Sequence, residues 1–197
     1  MLASIAVLLV AMVPFFARFE RKQLQAREVV LLAMLVAIAA VSRVPFAAVP
    51  SIQPMTFVII VTAISFGAES GFIVGALAAL VSNMFLGHGP WTPWQMFTWG
   101  MVGLTAGMLK DTGWFIRRPV LLAFGFIWGL LFGWIMNLSM VPTLFQSVFS
   151  WKALMAVYAA GFYFDLLHAL ANVFFLAVFG GSWVKIMLRF KKKYGLF

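Results

Sequence analysis

No cysteine occurs anywhere in the 197 residues, which excludes disulfides, thiolate nucleophiles and Cys-ligated metals. Histidine occurs only as His88 and His168. Neither belongs to an HExxH or comparable spacing, so no metal-ligand pattern is present. No GxxxxGK[ST] is found either, so the chain has no P-loop of its own with which to bind and hydrolyse ATP. Charged residues of either sign make up only 10% of the sequence, against about a quarter in an ordinary soluble domain. Acid is scarcest, with five Asp and Glu against fourteen Lys and Arg.

Apolar residues take the place of charge. They form 64% of the chain, and the mean hydropathy is +1.06. Lipid is the abundant solvent that tolerates so much apolar surface, so the composition indicates an all-α, polytopic membrane protein. A barrel would show alternating segments of about ten residues, and none is seen. In a soluble protein a net charge of +9 would suggest nucleic acid. Here the cations cluster beside apolar runs, which points to membrane topology and to no nucleic-acid partner. The opening MLASIAVLLVAMVPFF lacks a basic leader and an A-x-A-like cleavage site. It reads as a retained helix rather than a signal peptide.

Seven helices are expected, at about 2–18, 27–43, 54–66, 70–86, 94–109, 119–139 and 152–185. The third is short. Placing RFERKQLQARE in the cytoplasm puts Arg18, Arg21, Lys22, Arg27, Lys110, Arg117, Arg118, Lys185, Arg189, Lys191, Lys192 and Lys193 on that side. Only Arg43 and Lys152 remain outside. This asymmetry sets the N-terminus outside and the C-terminus in the cytoplasm. Three outer connections follow: RVPFAAVPSIQP, LGHGPWTP and NLSMVPTLFQSVFSWK. All are rich in proline, rings and amide or hydroxyl groups, so that face looks built to receive something.

Small residues at intervals of four let lipid-embedded helices approach closely. Gly67, Gly71, Gly75 and Ala79 form one such stripe and lead to Asn83. Gly125, Gly129 and Gly133 form another and lead to Asn137. Gly103 and Gly107 form a third. The asparagines either cap their helices or point into a pocket. Ala33, Ala37 and Ala40 form a small-residue face on the second helix, suited to internal packing or to docking another subunit. Asp165 is the one acid deep in an apolar run. Tyr158, Phe162, Asp165, Ala169 and Asn172 share its helix face, and His168 lies within reach of its carboxylate. The cluster is either a structural hydrogen-bonded tie or a binding or proton-relay site. Arg43, at the outer end of the second helix, suits an acid or a ligand. No nucleophile, base and oxyanion arrangement is recognisable, so an enzyme is not expected.

Taken together, several features resemble the substrate-binding S components of energy-coupling factor (ECF) transporters, the vitamin-uptake systems of prokaryotes. They are the chain's size, the basic helix start followed by AMLVA, the short helix after PSIQP, FGAESGFIVGALAALVSNMFLG, and the Trp/Pro-rich connection into WQMFTWGMVGLTAGML. The resemblance covers roughly residues 27–186. It implies a six-helix substrate-binding domain, 20–197, preceded by an additional transmembrane helix at 1–19. It further implies a plasma-membrane location, a vitamin pocket near the outer face, and docking through Ala33 and Ala37. The docking partner would be a membrane coupling subunit (T component) joined to two ATPase subunits, which alone bind ATP; no cofactor of the chain's own is expected. The extra helix and the wide, aromatic, charge-poor outer surface look most like the cobalamin-specific type. Riboflavin, queuosine or another flat heterocycle is an alternative.

The Trp-rich stretch, residues 87–100, reads GHGPWTPWQMFTWG. Interfacial tryptophan belts are ordinary, and Trp151 and Trp183 fit that description. Pro90 and Pro93, however, fix the backbone around Trp91 and lower the cost of ordering a gripping loop. Trp91 and Trp94 could clamp a planar ligand or belong to the belt. Gln95 offers an amide, and His88 and Gln53 lie in the same outer connections. Arg43, Gln53, Asn83, His88, Trp91, Trp94, Gln95, Asn137, Tyr158, Phe162 and Asp165 are therefore the substrate-site candidates. Two competing classes are an intramembrane enzyme using Asp165 and His168, and a scaffold without a small ligand.

Overall fold

The computed structural model describes residues 2–21, 24–144 and 150–196. Among these residues eight α-helices follow one another: α1 (Leu2–Glu20), α2 (Ala26–Val41), α3 (Met55–Phe66), α4 (Ala68–Leu86), α5 (Thr92–Leu109), α6 (Arg118–Leu144), α7 (Trp151–Phe175) and α8 (Gly181–Tyr194). A π-helical turn, Leu176–Gly180, joins α7 to α8 without a break. No strand occurs among the described residues, so the fold is all-α. Among the described residues, four helical stretches are long and apolar enough to cross a bilayer: Ala26–Phe46, Ala68–Leu86, Arg118–Met140 and Trp151–Tyr194.

Two of the expected boundaries move. The sixth helix was expected to stop near 139 but continues to Leu144. The polar residues that suggested a loop are accommodated inside it, since the Ser139 hydroxyl donates to the Met136 carbonyl at 2.6 Å. The rest of that expected outer connection, residues 145–149, lies outside the described residues, as does Lys22 of the charge partition. The last helix continues past 185 to Tyr194. At 1.5 Å per residue its 44 residues run about 66 Å, against about 30 Å of hydrocarbon. Its basic last turns therefore extend well beyond an apolar slab.

The glycine stripes are packing faces. The Cα atoms of Gly71 and Gly103 face each other so closely that a methyl group on either would strike the other's backbone. Gly75 lies against the Trp99 carbonyl, and Gly107 against the backbone of Ala68. Helices α4 and α5 thus touch main chain to main chain, as small residues at intervals of four permit. Gly67 alone separates α3 from α4. Its φ of 99° belongs to the region that glycine enters at no steric cost.

Between α6 and α7 the steps also run in fours. Gly125 meets Leu176 and Asn172, Gly129 meets Ala169, Gly133 meets Asp165, and Asn137 meets Gly161. The amide of Asn172 donates to the Gly125 carbonyl at 3.1 Å.

Every residue of α3 is buried. A helix that is apolar all round belongs inside a bundle, which explains how so short a segment is accommodated. It is surrounded by α2, α4, α5, α7 and α8. Helix α1 lies outside this arrangement, against α4 and α5. Phe15 stacks on Phe72 with centroids 4.4 Å apart, and Arg18 pairs with Glu69 at 3.0 Å.

The basic segments meet at one end of the bundle. There Lys191 donates to the Ser65 carbonyl at 3.3 Å, and Arg118 donates to the Ala177 carbonyl at 3.2 Å. The Trp91 connection lies at the other end, with the C-terminal turns of α2 and α4 and the N-terminal turns of α3 and α5.

Candidate functional site

Arg43 is the hub of the tryptophan-loop end. It follows the last turn of α2 and is only 5% exposed. A buried guanidinium is costly unless its hydrogens are bonded, and here several are. Its Nε donates to Gln53 Oε1 at 3.0 Å, and its Nη1 donates to Ser82 Oγ at 2.6 Å and to Asn83 Oδ1 at 3.1 Å. Its guanidinium carbon lies 4.8 Å from the ring centroid of Trp99, a cation–π contact.

Asn83 relays this arrangement to α5. Its Nδ2 donates to Thr92 Oγ1 at 3.0 Å and to Gln95 Oε1 at 2.7 Å. The glycine stripe of α4 therefore ends in an amide that joins Arg43 to the first turn of α5, directly behind the pocket wall. Asn137, which ends the other stripe, does face a pocket.

A second chain of hydrogen bonds reaches α7. Trp99 Nε1 donates to Thr56 Oγ1 at 3.0 Å. Thr56 Oγ1 lies 3.2 Å from His168 Nε2, and His168 Nδ1 lies 3.0 Å from the Ser51 carbonyl. A carbonyl can only accept, so Nδ1 carries the hydrogen, and Nε2 then receives the one from Thr56. Ser51 adopts φ 60°, unusual for a residue other than glycine, and His168 holds its carbonyl in place. The sequence allowed His168 to pair with Asp165. In the structure both ring nitrogens are committed elsewhere, and the Asp165 carboxylate accepts from Asn137 Nδ2 at 3.2 Å.

These groups surround a hollow of about 180 Å³ lined by Arg43, Gln53, Gln95, Asn137, Asp165 and His168, with Trp99 and Phe132 as ring walls. A wider hollow of about 480 Å³ adjoins it, lined by Pro90, Trp91, Gln95, Met136, Asn137, Ser139 and Met140. Gln95, Met136 and Asn137 belong to both. The inner hollow is polar and the outer one mostly apolar. Few precisely placed polar groups behind an apolar wall are the usual make-up of a small-molecule site.

Of the eleven candidates, Arg43, Gln53, Gln95, Asn137 and Asp165 line the inner hollow and Trp91 the outer one. Asn83 stands directly behind. The remaining four line neither hollow. His88 is exposed, Trp94 is half-buried on the first turn of α5, and Phe162 is 54% exposed. Tyr158 turns its hydroxyl to the Trp134 carbonyl at 3.1 Å. Sequence reasoning missed Ser82, Thr92, Thr56, Trp99, Phe132 and Met136. Trp99 had a signal, lying one helical turn beyond Gln95 and so on its face.

Ala33 and Ala37 are exposed on α2, flanked by exposed Val29, Val30, Met34, Ile38 and Val41. Ala40 does not continue that face, because it is fully buried. Arg43 draws the end of α2 against Ser82 and Asn83 of α4, which covers the last turn.

No solved structure matches the chain. The family model described as "ECF transporter, substrate-specific component" matches residues 27–179, a region that begins at the start of α2 and contains every residue lining both hollows. An all-helical membrane bundle with one end hollowed out, matched over most of its length by that family, places this chain among the substrate-specific components of ECF transporters: membrane subunits that bind a small molecule and work with a T component and ATPase partners.

Proposed function

We propose that the chain takes up a cobalamin-type vitamin, binding it at the tryptophan-loop end, which faces the exterior of a prokaryotic cell. The observation that carries this reading is the chemistry of the two adjoining hollows rather than their volume: a polar one lies beside a mostly apolar one. Cobalamin is a large, nearly neutral molecule fringed with carboxamides. Its macrocycle suits the apolar wall of Trp91, Met136 and Met140, and its amide arms suit Gln53, Gln95 and Asn137. The grouping of basic residues at the opposite end supports a cytoplasmic position for that end. The exposed Ala33 and Ala37 face of α2 is the surface offered to the T component, and two ATPase subunits supply the energy.

A flat heterocycle such as riboflavin or queuosine is the second reading. The size of the outer hollow favours it, since about 300–1,000 Å³ is the usual range for drug-sized ligands. Native mass spectrometry of the purified protein separates the two. A retained corrinoid supports the first reading, and a retained flavin or deazaguanine supports the second. Catalysis by an Asp165–His168 pair has no support in the geometry, because His168 is bonded to Thr56 and Ser51 instead.

A further inference from the structure

Two buried groups of opposite charge face the inner hollow without meeting. Arg43 and Asp165 are each 5% exposed, and both line it. No ion pair or hydrogen bond joins them among the described residues. Arg43 is held by Gln53, Ser82 and Asn83, and by Trp99 beneath its guanidinium. Its other terminal nitrogen, Nη2, has no protein partner among the described residues. Asp165 accepts from Asn137 through Oδ2. Its Oδ1 rests directly on Gly133 and likewise has no hydrogen-bond partner among the described residues. Buried charges are ordinarily paired or fully hydrogen-bonded. Here a donor on a cation and an acceptor on an anion both lack a partner among the described residues, on two side chains that line one space of about 180 Å³.

We propose that this space receives a neutral carboxamide-type edge of the substrate, its carbonyl accepting from Arg43 Nη2 and its N–H donating to Asp165 Oδ1. The inference rests on the hollow being the substrate site and names what that site selects. A carbonyl beside an N–H satisfies both open groups at once and adds no net charge. A carboxylate would suit Arg43 but be repelled by Asp165, and an ammonium the reverse. The neighbouring amides of Gln53, Gln95 and Asn137 suit a neutral, hydrogen-bonding guest better than a charged one. The fixed pair thus acts as a filter against acids and amines of otherwise similar shape.

The test is a set of dissociation constants in detergent for the wild-type chain and Asp165→Asn. The probes are cyanocobalamin, its six monocarboxylic acids, in each of which one side-chain amide is hydrolysed, riboflavin and N3-methylriboflavin. Asp165→Asn keeps the shape and can keep the bond with Asn137, but removes the negative charge and turns an acceptor into a donor. If cyanocobalamin is the ligand, at least one acid isomer binds the wild type about tenfold or more weakly. In Asp165→Asn the amide parent then weakens while that acid recovers, so their ratio falls by about tenfold. A merely structural role for Asp165 would weaken both alike and leave the ratio unchanged, which overturns the inference. Equal binding of cyanocobalamin and all six acids by the wild type overturns it as well, while leaving the cobalamin reading intact. Binding of riboflavin but not cyanocobalamin rejects the cobalamin reading alone. In that case a weaker N3-methyl analogue, less penalised in Asp165→Asn, supports the filter, and an equal one overturns it. If neither parent binds, the cobalamin and riboflavin readings fall, and the inference falls with them.

Discussion

The guanidinium of Arg43 lies 4.8 Å from the indole centroid of Trp99, and the indole N–H of Trp99 is itself bonded to Thr56 at 3.0 Å. One contact thereby joins the end of α2 to the interior of α5, and through Thr56 to α3 and His168 of α7. Arg43→Lys tests whether this is more than a matter of charge. A lysine keeps the cation but cannot serve Gln53, Ser82 and Asn83 in a fixed fork, nor stack as a plane. The variant should be less stable by on the order of 2 kcal/mol, read as a lower Tm in detergent, and should bind substrate more weakly. An unchanged Tm would show that the fork is dispensable.

Gly133 supports Asp165. A methyl group there would overlap the carboxylate, so Gly133→Ala should displace Asp165 and lower substrate affinity about tenfold, equivalent to roughly 1.4 kcal/mol, with folded yield retained. Gly103→Leu is its control for packing. The added side chain would enter the backbone of Gly71, and the expected result is loss of folded protein. Size-exclusion profiles and binding isotherms separate the two outcomes.

The two loop tryptophans should behave differently. Trp91 lines the outer hollow and its indole lies across Gly89, whereas Trp94 lines neither hollow. Trp91→Ala should weaken substrate binding by about 1–3 kcal/mol, the range for removing a buried aromatic contact at a binding surface. Trp94→Ala should leave affinity nearly unchanged. Gly89→Val, which displaces the Trp91 ring without removing it, should resemble Trp91→Ala. Equal affinity in all three variants would show that the loop does not grip the substrate.

On α2 the alanines divide by burial. Ala37→Leu adds bulk to an exposed face and should abolish uptake by reconstituted transporter while leaving substrate binding by the isolated chain intact. Ala40→Leu adds it to a fully buried position and should cost about 1–3 kcal/mol of stability through overpacking. Uptake assays alongside thermal unfolding distinguish docking from core. Persistent uptake by Ala37→Leu would move the docking surface elsewhere.

The helices and their packing were legible because they depend on local pattern. Apolar runs, charge clusters and glycines at intervals of four each leave a signal within a few residues. The Gly71–Gly103 and Gly129–Ala169 contacts follow from such stripes once the helices are set antiparallel. Arg43 was recognisable as a misplaced cation, but not its partners. Gln53, Ser82 and Asn83 lie 10, 39 and 40 residues away, and no periodicity links them. His168 was misdirected for the opposite reason. Its sequence neighbour Asp165 was within reach on the same helix, yet Ser51, 117 residues distant, took its hydrogen. Phe162 and Tyr158 show the limit of a helical wheel. They share a face with Asp165 by spacing, but the cavity touches only part of that face.

On the proposed function, the two adjoining hollows at the tryptophan-loop end hold the substrate. Met136 is part of the wall of both, and its side chain makes no hydrogen bond among the described residues, the bond from Ser139 being to its main-chain carbonyl. Calorimetric titration of Met136→Trp with cyanocobalamin, beside the wild type and with Tm recorded for each, tests this most directly. The expected result is saturable one-to-one binding by the wild type and its loss in the occluded variant at an unchanged Tm. Equal affinity in the two proteins would contradict it.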